Sequence, residues 1–140
     1  LPSFPTRRSS DLGMPMAAYY SSLSYLLVLS GNFQKLLDIE SVHREKLNGL
    51  NENTFIINFQ YSAKRMASKK YDPTILRNII GSTNDPATLI GAFSVLEQDK
   101  DIKRLLSEQI KMSYSNYYTY KRWPIIPKNI LDEINLDKVA

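Results

Sequence analysis

The 140-residue chain has no cysteine, a single histidine, a single tryptophan and five glycines. Without cysteine there is no disulfide framework, no thiolate zinc, no iron–sulfur cluster and no cysteine nucleophile. With only His43, a metal site built on two or more histidines is excluded within the chain. Gly13, Gly31, Gly49, Gly81 and Gly91 are scattered and never form G-x-G, so no glycine-rich phosphate loop is present. The apolar run over residues 14–29 is short and rich in serine, whereas a membrane span needs about 20 predominantly apolar residues. Charge is nearly balanced, with 18 basic and 14 acidic side chains. These shortages lead to an expectation of no catalytic residue, no metal and no cofactor within this chain.

What is present starts with an odd N-terminus. The run SFPTRRSSDL over residues 3–12 reads as the in-frame translation of a sequencing-adapter end. Residues 1–12 are therefore read as a non-native leader and set aside. The distinction matters because Arg7 and Arg8, ahead of an apolar run, imitate a secretory or twin-arginine signal. The leader holds two arginines and one aspartate of the 18 basic and 14 acidic side chains, so 16 and 13 remain, a net charge of +3. Residues 13–140 are expected to form a single helical domain, a fragment of a longer protein entered at a read end. A chain of this size buries roughly two-thirds of its unfolded surface and needs no staple.

Apolar periodicity along this domain is helical. Met16, Tyr20, Leu23 and Leu27 share one stripe, with Leu26, Val28 and Leu29 filling the other side, a pattern expected of a helix central to the core. Gly31 supplies a left-handed stop, Asn32 a cap, and Phe33, Leu36 and Leu37 continue at helical spacing until Gly49. Over residues 54–61 the periodicity fits both a strand and a helix. The helical pattern continues through Ala63 and Met66, longer than a strand runs, so a helix is expected. Asp72-Pro73 and Asp85-Pro86 each place a capping carboxylate before a proline suited to the first helical turn. The last long helix is expected from about residue 99, with Ile102, Leu105, Leu106, Ile110, Tyr114, Tyr117 and Tyr118 on its inner face. Pro124 and Pro127 break the chain before a short final helix. The fold expected is all-α, with about six helices packed as antiparallel hairpins in a small helical bundle or short helical array.

Between residues 19 and 37 the sequence YYSSLSYLLVLSGNFQKLL resembles one helical hairpin of a tetratricopeptide repeat, with Tyr20, Leu23, Gly31 and Phe33 in the motif's places. The resemblance covers 19 of the 140 residues and implies a helix–turn–helix pair. Leu36 stands where that family has alanine, and nothing near Asn48 supplies its closing proline. The pattern does not recur 34 residues on, where Arg65 follows Gly31 at that offset, and a lone unit makes no solenoid.

Reactive chemistry is sparse. His43 and Glu45 reproduce the H-x-E of zinc deaminases without the cysteine pair that completes such a site. Asp99 and Asp101 resemble the start of a calcium loop, but the third ligand, glycine and distal glutamate are missing, and helix capping accounts for both. Basic side chains cluster at Lys64, Arg65, Lys69 and Lys70, a possible phosphate-contacting patch. Residues 114–123, YSNYYTYKRW, gather four tyrosines and the tryptophan. Such residues bring broad contact area with a polar tip. Tyr120, Arg122 and Trp123 fall off the apolar stripe and are the expected partner contacts.

The leading expectation is a non-catalytic structural or protein-protein interaction module within a larger protein, its partner another protein or the remainder of the same chain. Two alternatives stand beside it: an accessory C-terminal helical region of an enzyme whose catalytic part lies upstream, and a nucleic-acid-binding helical domain. A trimmed chain without signal or span points to the cytoplasm, and usage rich in isoleucine, lysine, asparagine and tyrosine points to AT-rich, bacterial coding.

Overall fold

The computed structural model describes residues 13–47 and 52–139. The expected leader and the stop at Gly49 lie outside the described residues. Among those described, the chain forms nine helical elements and no strand. They are α1 (Gly13–Leu29), α2 (Phe33–Val42), α3 (Arg44–Leu47), α4 (Asn53–Arg65), α5 (Pro73–Ser82), α6 (Pro86–Val95), α7 (Asp99–Met112), α8 (Ser115–Lys121) and α9 (Lys128–Val139). The all-α expectation holds, while the count exceeds six. Two expected helices are each interrupted: the second at His43, and the long C-terminal one at Ser113. Among the described residues no helix is long and apolar enough to cross a membrane.

The starts follow local chemistry. Asp72 accepts from the Thr74 N–H at 3.0 Å and Asp85 from the Thr88 N–H at 3.0 Å, each ahead of a proline. Glu52 does the same for α4, accepting from the Thr54 N–H at 2.9 Å. Three helix ends share one geometry. Gly31, Ala67 and Glu97 have φ of +76°, +51° and +58°. At each, paired N–H groups close back on the last-turn carbonyls, as in Asn32 N–H to Leu27 O, Ser68 N–H to Ala63 O and Gln98 N–H to Phe93 O.

The helix buried nearly all round is α4, not α1. Phe55, Ile57, Asn58, Phe59, Gln60, Ser62 and Ala63 are all buried because α1, α2, α5 and α6 pack around them. Mixed periodicity over residues 54–61 is what a surrounded helix produces. By contrast, among the described residues the helices packed along α1 are α2 and α4, and its Leu26 and Leu29 are 57% and 52% exposed. The expectation of a central α1 is therefore corrected: its apolar surface exceeds what its neighbours cover.

Two apolar clusters result. The first gathers α1, α2, α4 and α5, with Ala92 and Val95 of α6, around residues such as Leu36, Ile57 and Leu76. The second gathers α6 to α9 around Ile90, Ile102, Leu106 and Leu131. The segment between α8 and α9 joins them. Ile125 enters the first cluster, Ile126 the second, and Trp123 packs against both.

Candidate functional site

Tyr120, Arg122 and Trp123 are placed by the short α8 and the turn after it, which the Trp123 N–H closes onto Tyr120 O at 3.1 Å. They do not share one environment. Tyr120 is 5% exposed and belongs to the second apolar cluster. Burial, with a smaller contribution from the Asp85 charge, pushes its hydroxyl above the ordinary tyrosine range.

Trp123 is half-buried. Its Nε1–H donates to Asn58 Oδ1 at 2.9 Å, Asn58 Nδ2 donates to Ser24 Oγ at 3.0 Å, and Ser24 Oγ donates to Ser21 O at 2.7 Å. The relay ties the turn after α8 to α4 and α1 through Asn58 and Ser24, both fully buried. The indole lies on Gly91 of α6 so closely that a Cβ there would come within 2.5 Å of its Cη2. Among the described residues no buried side-chain nitrogen or oxygen lacks a hydrogen-bond partner. These polar atoms are committed to one another.

Arg122 is exposed, and its backbone carbonyl accepts from the Tyr25 hydroxyl at 3.2 Å. With Tyr25, Thr54, Asp85, Thr119 and Trp123 it lines a cleft of about 320 Å³. Of the three expected contacts, Arg122 and Trp123 line this cleft, while Tyr120 does not.

The break at Ser113 changes which tyrosines face outward. Ser113 is extended at φ −158° and ψ 125°, and Asn116 Nδ2 takes up the Gln109 carbonyl at 2.7 Å. The turn resets the helical phase. Tyr117 is buried, while Tyr114 and Tyr118 are 38% and 49% exposed beside Met112 at 78%. The three rings interlock, Tyr114 stacked on Tyr117 with centroids 5.7 Å apart and Tyr118 edge-on to both at 5.8 and 5.2 Å. Tyr114 donates to Asn135 Oδ1 of α9 at 2.6 Å, and the Lys121 ammonium stands 5.5 Å from the Tyr117 ring. Sequence periodicity assigns Tyr114 and Tyr118 to the core. The signal against it was the S-Y-S-N run, whose short polar side chains compete for helix-end carbonyls.

The basic cluster is largely engaged within the fold. Lys64 donates to Val95 O at the end of α6 and pairs with Glu97 at 2.7 Å. The Arg65 guanidinium lies 5.1 Å from the Phe33 ring and 5.9 Å from that of Tyr61. Lys70 stands 3.6 Å from Glu40, and Lys69 is exposed. His43 Nδ1 meets the Tyr20 hydroxyl at 3.2 Å, where no third metal-ligating side chain converges among the described residues. Asp101 pairs at 3.4 Å with Arg104 in the first turn of α7. There it favours the positive end of the helix dipole.

Compared with protein-family models, curated proteins and solved structures, the chain matches none of them.

Proposed function

We propose that this chain is a non-catalytic helical domain serving as a structural or protein-protein interaction module within a larger protein, with the α7–α8 elbow as its contact surface. The observation that carries the reading is the exposed apolar and aromatic group Met112, Tyr114 and Tyr118, at 78%, 38% and 49% exposure. Its rings are fixed before any partner arrives, by stacking on Tyr117 and by the Tyr114 hydrogen bond to Asn135. Rigid tyrosines give contact area at low entropy cost, and methionine adapts to what it meets. Elsewhere, the buried polar side chains bond within the fold, among them the Trp123–Asn58–Ser24 relay. No observation favours the accessory-enzyme or nucleic-acid reading over this one.

The experiment is photo-crosslinking in cells, with a photoreactive residue at position 112 or 118 and, as control, at the exposed Arg77 of α5. A discrete adduct from positions 112 and 118, to another polypeptide or a distant part of the same chain, is expected. Yields no greater than those from position 77 overturn the reading.

A further inference from the structure

Between Glu108 and Asp132 the chain carries four basic side chains, Lys111, Lys121, Arg122 and Lys128, and no acidic one. All four are exposed, and among the described residues none of them is in an ion pair. The same stretch supplies Met112, Tyr114 and Tyr118, so charge of one sign and exposed aromatic surface come from one segment.

The short helix α8 brings the two together. Tyr118 and Arg122 are four apart, the Arg122 N–H closing on Tyr118 O at 3.3 Å, so their side chains leave one face of the helix. Lys121 lies beside them, its ammonium 5.5 Å from the Tyr117 ring on which Tyr114 is stacked. Burial first, and the Lys121 charge second, lower the Lys128 pKa, which puts a second ammonium within electrostatic reach of the first. The carboxylate of the adjoining cleft, Asp85, is engaged by the Thr88 N–H at 3.0 Å and the Thr88 hydroxyl at 2.7 Å.

Like charges gathered without a counter-charge repel one another, and a carboxylate-bearing partner relieves that repulsion. Exposed cations set which partner binds and how fast, whereas anchoring comes from apolar and aromatic area. The occupant therefore needs both features, since a polyanion without an apolar group would leave Met112 and Tyr118 uncovered. A base-stacking ligand needs open ring faces, but Tyr114 has one face on Tyr117, and Tyr118 is interlocked edge-on with both.

We propose that the elbow takes an acidic peptide segment of a partner protein, in which aspartates and glutamates flank an aromatic anchor. The anchor covers Met112, Tyr114 and Tyr118, and the carboxylates meet Lys121 and Arg122. This rests on the elbow being a contact surface and adds the chemistry of what it contacts.

Three short labelled peptides test it on the full chain by fluorescence anisotropy. One sets a phenylalanine between aspartates and glutamates, the second replaces every carboxylate by its amide, and the third puts lysine at each acidic place. A labelled oligouridylate is the fourth probe. The acidic peptide is expected to bind about tenfold tighter than the amide peptide at low salt, with the advantage shrinking as salt rises, and tighter than the other two probes. Lys121→Gln combined with Arg122→Gln is expected to remove most of that advantage and leave the amide peptide unchanged. Tyr118→Ala is expected to weaken both peptides several-fold, and Arg77→Gln on α5 neither. The ranking of probes on the unaltered chain decides even where a variant unfolds. Equal binding of the acidic and amide peptides overturns the proposal, as does indifference to the Lys121 and Arg122 changes in folded protein, tighter binding of oligouridylate, or no binding of the acidic peptide at millimolar concentration. Crosslinks from positions 112 and 118 alongside any of those results would leave the elbow a contact surface for a partner of different chemistry.

Discussion

The indole of Trp123 donates to Asn58 at 2.9 Å, a hydrogen bond between residues 65 apart that fastens the chain's C-terminal third to its central helix. Asn58 is fully buried and spans from the indole to Ser24, which is itself fully buried. Asn58→Ala is expected to cost about 1–3 kcal/mol, the range for stranding a buried donor or acceptor. Trp123→Phe removes the same bond from the other side. The double variant is expected to lose about 1 kcal/mol less than the two single losses added together. Urea denaturation followed by circular dichroism measures all three. Simple additivity would show that the bond contributes nothing beyond the packing of its two ends.

Gly91 explains why an indole fits at that point. A methyl there would stand 2.5 Å from Trp123 Cη2, 3.0 Å from Cζ3 and 3.3 Å from a methyl of Ile57. The ring cannot retreat without releasing Asn58, so Gly91→Ala is expected to destabilise by about 1–3 kcal/mol despite alanine's better helix propensity. In a Trp123→Phe background the two offending carbons are gone. Most of that cost is then expected to vanish, and a penalty unchanged by the background would place the clash elsewhere.

These long-range contacts mark where the sequence stopped being readable. Asp72-Pro73 and Asp85-Pro86 announce their helices because cap and proline act within one turn. The helix over residues 54–61 was legible from its length, and its strand-like alternation came from burial on all sides. Tyr114 and Tyr118 were misassigned to the core because the break at Ser113 depends on Asn116 reaching back to Gln109. One helical phase was carried across what are two helices. Tyr120 and Trp123 face inward for the same reason. Nothing in local periodicity pairs Trp123 with Asn58 or makes room for it at Gly91.

Ala67 ends α4 at φ +51°, a conformation costly for any residue with a Cβ. Ala67→Gly relieves that strain but frees the unfolded chain, and the balance is expected to favour the folded state by about 0.5–1 kcal/mol. Glu97 ends α6 at φ +58°, yet its carboxylate is held by Lys64 at 2.7 Å. Glu97→Gly is accordingly expected to gain less than Ala67→Gly. Thermal melts of the two variants side by side decide the order, and a reversed ranking refutes the assignment of strain.

Burial first, and the Asp85 charge second, raise the Tyr120 hydroxyl above its ordinary value of 10.0. A group whose pKa is higher in the folded protein contributes stability below its unfolded value, and that contribution fades as pH rises toward the folded one. Stability is therefore expected to decline above about pH 10 as the unfolded chain ionises tyrosine that the core keeps neutral. Lys128 acts in the opposite sense. Burial, with Lys121 nearby, lowers its pKa from 10.5, so as pH approaches that value from below the folded protein has already released a proton that the unfolded chain still holds. Tyr120→Phe removes only the first effect. Tyr20 and Tyr114, also raised by burial, keep part of the decline. Melting temperatures recorded from pH 8 to 11 are expected to show Tyr120→Phe gaining on the wild type above pH 10. Parallel curves for the two proteins would mean that the Tyr120 hydroxyl titrates alike in the folded and unfolded chains.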